Sequence, residues 1–154
     1  MRITATSPDD PTTAGLLEAY FDERTRGFAG GGYRVAPPDP AAFRPPGAFL
    51  RAEEDDGTPL GVVGLRPLPT GGDEDRMEVK HLYVVPEARG RGLGRVLLAR
   101  VETIARQAGT DLLVLDTNRS LEAAGGLYRT SGFEPVAPFN DNPNATDWFG
   151  KHLL

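Results

Sequence analysis

The chain contains no cysteine. That absence excludes disulfide bridges, thiolate metal sites and a cysteine nucleophile together. No apolar run approaches the length of a membrane span, so no membrane partner is expected. The opening residues, MRITATSPDD, lack the apolar core of a signal peptide, and without an export signal the expected compartment is the cytoplasm. Asn118-Arg-Ser120 and Asn144-Ala-Thr146 match the glycosylation pattern; with no secretory route they read as chance matches. A basic excess is missing too. Lys and Arg number 17 against 22 Asp and Glu, leaving −5, which argues against a surface that wraps nucleic acid.

What is present is ordinary globular material. With 154 residues, 39% hydrophobic and 25% charged, the chain fits one domain over residues 1–154 with a normal core. RITAT reads as a first strand. Asp10 followed by Pro11 is a helix start, a capping carboxylate before a proline at the first helical position. Ala14, Leu17, Tyr20 and Phe21 follow at helical spacing, so the helix runs to about Arg24. Residues 27–47 are dense in Gly and Pro and form a long loop with at most a short helical piece. Loops of that length are usually functional or mobile.

AFLRAEE, the turn DDG and LGVVGLRPL read as an antiparallel hairpin. PTGGDEDR is an exposed acidic turn, and MEVKHLYVV is a fourth strand. A second helix then carries Leu97, Val101, Ile104 and Ala105 on one face and ends at Gly109. DLLVLDT is a strand buried on both faces. SLEAAGGLYRTSG is a short helix stopped by Gly132, and FEPVAPF with DWFGKHL supplies two closing strands. From residue 77 the alternation of strand and helix implies at least one parallel strand pair.

The segment RGRGLGRVLL, residues 89–98, joins the fourth strand to the second helix. Gly90, Gly92 and Gly94 with Arg95 fit neither the dinucleotide fingerprint nor a P-loop. Glycines at a strand-to-helix turn let a ligand approach the backbone, and the free N–H groups of a helix start favour an anion. Arginines at 89, 91, 95, 100 and 106 against glutamates at 87 and 102 make this stretch basic within an acidic chain. A solvated, flexible turn would carry the same residues.

With its neighbours included, MEVKHLYVVPEARGRGLGRVLL resembles the central motif of the GNAT superfamily of acyl-CoA-dependent N-acyltransferases. That motif is a strand, then Arg/Gln-x-x-Gly-x-Gly/Ala, then a helix, filled here by Arg89, Gly92 and Gly94. LDTNRSLEAAGGLYRTSGF resembles the second half of the same family's site. The resemblance covers residues 77 to about 136, and the preceding residues agree mainly in element order. It implies an α/β (α+β) fold with a mostly antiparallel central sheet, a parallel, splayed fourth and fifth strand pair, and flanking helices. The implied co-substrate is acetyl-CoA and the implied reaction is direct transfer of the acetyl group to a primary amine within a ternary complex.

Site residues follow from the resemblance. Backbone groups at Leu82, Tyr83 and Val84 would hold the pantetheine arm. The pyrophosphate would sit on the turn and first helical residues, Arg89, Gly90, Arg91, Gly92, Leu93, Gly94 and Arg95. Asn118 would hold the pantetheine amide, although Asn is also among the best helix caps. Tyr128 would protonate the departing thiolate, with Tyr83 the alternative. The amine must attack unprotonated, and Glu78 is the first candidate for its base. His81 is the second, because its ordinary pKa suits proton transfer near neutrality. On a regular strand Val79, His81 and Tyr83 share one face, while Glu78, Lys80 and Leu82 share the other; a β-bulge would exchange the faces partway along. A backbone N–H near Leu82 would support the oxyanion.

No metal site is expected. The acceptor, a small molecule or peptide amine, would be read by residues 21–34 and the loop joining the last two strands. Glu23, Arg26, Arg34, Asn140, Asp141 and Asn142 are polar enough to do so and equally suited to solvation, while NDNPN forms turns in its own right. Trp148 and Phe149 read as core. Overall acidity mildly suits a cationic amine. The resemblance leaves room for a homodimer. A non-catalytic acyl-CoA-binding module would keep the glycine turn without the acid and base. A nucleic-acid binder would need wider basic patches than one helix start supplies.

Overall fold

A computed structural model describes residues 1–69 and 72–154; Thr70 and Gly71, at the tip of the expected acidic turn, lie outside them. Strand β1 (Arg2–Ala5) leads into helix α1 (Pro11–Gly27). Asp10 caps that helix by accepting the N–H of Thr13 at 3.0 Å, and Pro11 occupies a position whose N–H would go unused. The Gly- and Pro-rich segment that follows contains one short 3-10 turn, Pro40–Phe43. Then come β2 (Ala48–Glu53), β3 (Pro59–Pro67) and β4 (Arg76–Val84). Helix α2 (Leu93–Gln107), β5 (Leu112–Thr117) and α3 (Glu122–Thr130) complete the alternating part. The chain closes with the two-residue β6 (Glu134–Pro135) and with β7 (Asp147–His152).

All seven strands form one sheet in the order β1-β2-β3-β4-β5-β7-β6. Every pairing is antiparallel except β4 with β5. That parallel pairing spans only Arg76–Glu78 against Leu112–Val114, although β4 continues to Val84 and β5 to Thr117. Beyond Glu78 the two strands part, and the sheet opens there as a cleft.

Alternation along the strands supplies two cores. Leu50, Val63 and Leu65 face α2, which buries Leu97, Leu98, Val101 and Ala105 against them. Phe49 and Val62 face the other way, toward Leu16 and Leu17 of α1 and Phe43 of the 3-10 turn. Burying each such leucine contributes about 2 kcal/mol. Gly64 lies beneath Phe43 and Phe49: a Cβ there would stand 2.7 and 2.9 Å from their rings.

In β4 the regular alternation breaks. Val62 of β3 pairs with Tyr83 and Gly64 pairs with Lys80, so His81 and Leu82 together oppose Val63. This is a β-bulge, and His81 takes a left-handed backbone, φ 57°, uncommon outside glycine. Val79 ahead of the bulge joins the α2 core, whereas Tyr83 beyond it joins the α1 core. Two residues that a flat strand would align on one face therefore serve opposite faces. The bulge falls where β4 has already lost β5 as a neighbour, leaving His81 and Leu82 outside both ladders.

Candidate active site between the parted strands

A cavity of about 830 Å³ occupies the cleft. It is wide enough to join the glycine turn, the β4 bulge, the outer end of β5 and the end of α1. The sheet supplies a rigid back, and the helices set the side walls.

At one wall, Gly92 caps α2 in a left-handed conformation, φ 77°, with no side-chain acceptor on the helix's first N–H groups. Gly90 is also left-handed at φ 80°, and a Cβ on either glycine would meet nothing within 4 Å. Their absent side chains thus serve backbone conformation and not packing. Uncapped donors and the positive end of a helix dipole suit an anionic group. The neighbouring arginines are already committed. Arg89 donates to the Val84 carbonyl at 2.9 Å and pairs with Glu23 at 2.9 Å. Arg91 pairs with Glu54, and Arg95 donates to the hydroxyls of Thr130 and Ser131. Arg89, Gly90, Gly92, Leu93, Gly94 and Arg95 all line the cavity. So do Leu82, Tyr83 and Val84.

Tyr128 reaches the cavity from α3. Burial raises its phenol to a pKa of about 12, so it remains a proton donor through neutrality. Packing against Phe133 and Phe149, at 6.1 and 6.2 Å between ring centroids, fixes the ring.

His81 lies in an aromatic cage. Its ring centroid stands 5.7 Å from Tyr20, 5.6 Å from Phe21, 6.1 Å from Phe43 and 6.4 Å from Phe49. Burial first, then the charges of Lys80 and Arg66, lowers its pKa to about 3. Nδ1 has no hydrogen-bond partner among the described residues. The imidazole is therefore neutral and weakly basic.

Glu78 is fully buried but does not line the cavity. It sits opposite Arg66 in the β3–β4 ladder, accepts from that guanidinium at 2.7 Å, and lies 3.9 Å from Lys80. Arg66 and Lys80 themselves reach the cavity wall. Asn118 is turned away from the main cavity. Its Oδ1 accepts the Ser120 N–H and its Nδ2 donates to the Asn144 carbonyl, while the cap position of α3 is Leu121, without a side-chain cap.

Sequence reasoning missed one of the carboxylates that line the cavity. Asp116, near the end of β5, accepts from Asn140 Nδ2 at 2.7 Å and Asn142 Nδ2 at 3.2 Å. Those amides are held in turn. Asn140 Oδ1 accepts the Trp148 indole N–H at 2.9 Å, Asn142 Oδ1 accepts the Asn144 N–H, and Asn144 clasps the backbone of Arg34 on both sides. NDNPN is thus more than a turn: three of its asparagines build an amide chain that orients one carboxylate. The signal in the sequence was their spacing of two, which lets each side-chain oxygen accept the backbone N–H of the next asparagine. No His, Cys, Asp and Glu cluster suited to a metal occurs among the described residues. No helix there is long and apolar enough to cross a membrane.

The mostly antiparallel sheet with one parted parallel pair and its flanking helices define a mixed α/β class. The match to a family model settles the membership: residues 12–133 match the Acetyltransferase (GNAT) family, and the chain belongs to it. An uncharacterized N-acetyltransferase of Schizosaccharomyces pombe is 37% identical over 99 residues, covering 64% of this chain and 59% of that protein. The uncharacterized N-acetyltransferase YjgM of Escherichia coli is 33% identical over 135 residues, covering 85% of this chain and 80% of that one. In fold, the chain is similar to yncA from Salmonella typhimurium, solved with its cofactor acetyl-CoA. The TM-score is 0.69 at 19% identity, covering 99% of this chain and 94% of that one.

Proposed function

We propose that the protein is an N-acetyltransferase that moves the acetyl group of acetyl-CoA directly to a primary amine. One observation carries the reading: the uncapped, left-handed glycine start of α2 and the Tyr128 phenol face the same cavity. An anion seat and a proton donor on one cleft are what transfer from a phosphate-bearing thioester needs. Residues 89–95 would seat the pyrophosphate on their N–H groups, and Leu82, Tyr83 and Val84 would hold the pantetheine arm along the unpaired edge of β4. Acetyl-CoA supplies the activated thioester.

In the transfer a C–N bond forms to the amine and the C–S bond breaks. Tyr128 gives its proton to the leaving sulfur and regains one from the acylated nitrogen. Backbone N–H groups at the bulge, outside both ladders, would meet the oxygen on which negative charge develops. Glu78 serves by holding Arg66 and Lys80 at the wall. His81 shapes the floor as a neutral ring. The supporting experiment is a thiol-release assay with acetyl-CoA over a panel of amines. Release of free CoA that depends on an amine is the expected result; release with none of them would overturn the reading.

A further inference from the structure

Arg24 and Asp116 are two of the charged residues on the cavity wall. Among the described residues neither Arg24 nor Asp116 makes an ion pair within 4.0 Å. Both line the cavity. Three other cations of this wall face carboxylates: Arg66 and Lys80 face Glu78, and Arg89 pairs with Glu23.

Arg24 is held without being neutralised. Its guanidinium carbon stands 5.8 Å from the ring centroids of both Tyr20 and Tyr33. A basic residue in the last turn of α1 suits the helix dipole. That alone would not place the head group against two rings at the cavity wall. Asp116 is the converse. Its contacts are two neutral amides, both to Oδ2, so the carboxylate is fixed in direction without a cationic partner.

Arg24 and Asp116 also act on the same two phenols. Burial above all raises the pKa of Tyr20 and Tyr128; the guanidinium lowers it and the carboxylate raises it in both, so both charges are felt beside the expected proton donor. A lone amine would satisfy Asp116 and leave Arg24 facing nothing. A molecule carrying an ammonium and a carboxylate satisfies both.

We infer that the acceptor is an amino acid or a close analogue, a zwitterion whose ammonium meets Asp116 and whose carboxylate meets Arg24. Arg34, on the loop after α1, also lines the cavity and adds a second cation to its wall. Asp116 takes the first proton from the ammonium and passes it to solvent, and the freed lone pair forms the C–N bond. The aromatic wall of Tyr20, Phe21 and Tyr33 suits an apolar side chain. The overall acidity of the chain therefore misleads about this pocket, whose acceptor end is furnished with both signs of charge. This inference rests on the transferase reading above.

The test uses matched acceptors with the full chain and acetyl-CoA: phenylalanine against phenethylamine and phenylalanine amide, and leucine against isoamylamine. The amino acids should exceed their carboxylate-free partners by roughly 10- to 100-fold in kcat/KM, the worth of one charge-assisted contact. Arg24→Met should erase that preference by raising KM for the amino acids while sparing the plain amines. Asp116→Asn should lower kcat for both sets and displace the acid limb of the pH–rate profile, a readout that loss of packing would not move. Equal or better turnover of the carboxylate-free amines overturns the inference and leaves the transferase reading standing. Acetylation of neither set, with acetyl-CoA shown to bind, overturns the transferase reading and the inference with it.

Discussion

Lowering the pH from 7.5 to 5 should destabilise the protein by about 2 kcal/mol through a single side chain, His81. Four aromatic rings surround the imidazole, and its neighbouring charges, Lys80 and Arg66, are cations. Burial first and those cations second lower its pKa from 6.5 to about 3. The unfolded chain binds the proton near 6.5 and the folded one only near 3. This group's contribution is thus fully present above 6.5 and drains away as pH falls through the interval between the two values. Integrated for one site, the loss from pH 7.5 to 5 is about 2 kcal/mol, rising to about 5 kcal/mol once pH passes below 3. One edge of the ring faces the cavity, so solvent screening makes both figures upper bounds. The acidic side chains held below their usual range, Asp10 by the Thr13 N–H and Glu53 by Arg2 above all, contribute their own losses only at lower pH. The assay is urea unfolding followed by circular dichroism at several pH values, with His81→Asn alongside. Asparagine tolerates the left-handed backbone at this position and cannot titrate. The wild type should lose stability steadily toward pH 5, and the variant should be nearly flat over the same range. An identical slope in both proteins, or none in the wild type, refutes the reasoning. Because the chain has two histidines, His152→Gln assigns the remaining imidazole signal in NMR and reads the protonation directly.

Tyr128→Phe should reduce kcat by about 100-fold or more with little change in acetyl-CoA affinity, measured by thiol release and by calorimetric titration. Glu78→Gln should weaken the Arg66 pairing and lower the urea midpoint by an amount equivalent to about 2 kcal/mol, without altering the pH–rate profile of turnover. Gly92→Ala places a Cβ in open space but on a left-handed backbone, so it should cost about 1–2 kcal/mol of stability and raise the KM for acetyl-CoA. Gly64→Ala drives a Cβ into Phe43 and Phe49 and should destabilise by about 1–3 kcal/mol, seen as a lower Tm.

The sheet and helices were legible because their signals are local. Asp10-Pro11 marks the start of α1, and Gly109 and Gly132, both left-handed, follow the ends of α2 and α3. The apolar run at 112–117 could only be a strand buried on both faces. The glycine turn was legible for the same reason, since its left-handed residues must be glycine. Ends set by packing were less clear. Helix α1 runs three residues past Arg24 to Gly27, and FEPVAPF contributes only Glu134–Pro135 to the sheet. Whether Glu78 and His81 reach the cavity depends on the bulge and on Arg66, which lies on a different strand. Asp116 read only as part of the apolar strand DLLVLDT. Its importance arises from Asn140 and Asn142, more than twenty positions away, and no local pattern joins them. The acceptor end was therefore the hardest part to read, because its charges come from α1, the loop after it and β5, and the amides that hold Asp116 come from the loop before β7.

Trp148, expected as core, closes the amide chain that runs from Asp116 through Asn140. It is the single tryptophan of the protein, and its indole N–H is committed to Asn140 Oδ1 at 2.9 Å. Emission from an indole responds to changes at that N–H. The protein thus carries a built-in optical gauge whose signal comes from one place, two hydrogen bonds from the carboxylate at the end of β5. A ligand that draws on Asp116 should shift the emission, whereas one that fills only the glycine turn should leave it unchanged. Occupancy of the two ends of the cleft can be followed separately, in real time and without a label.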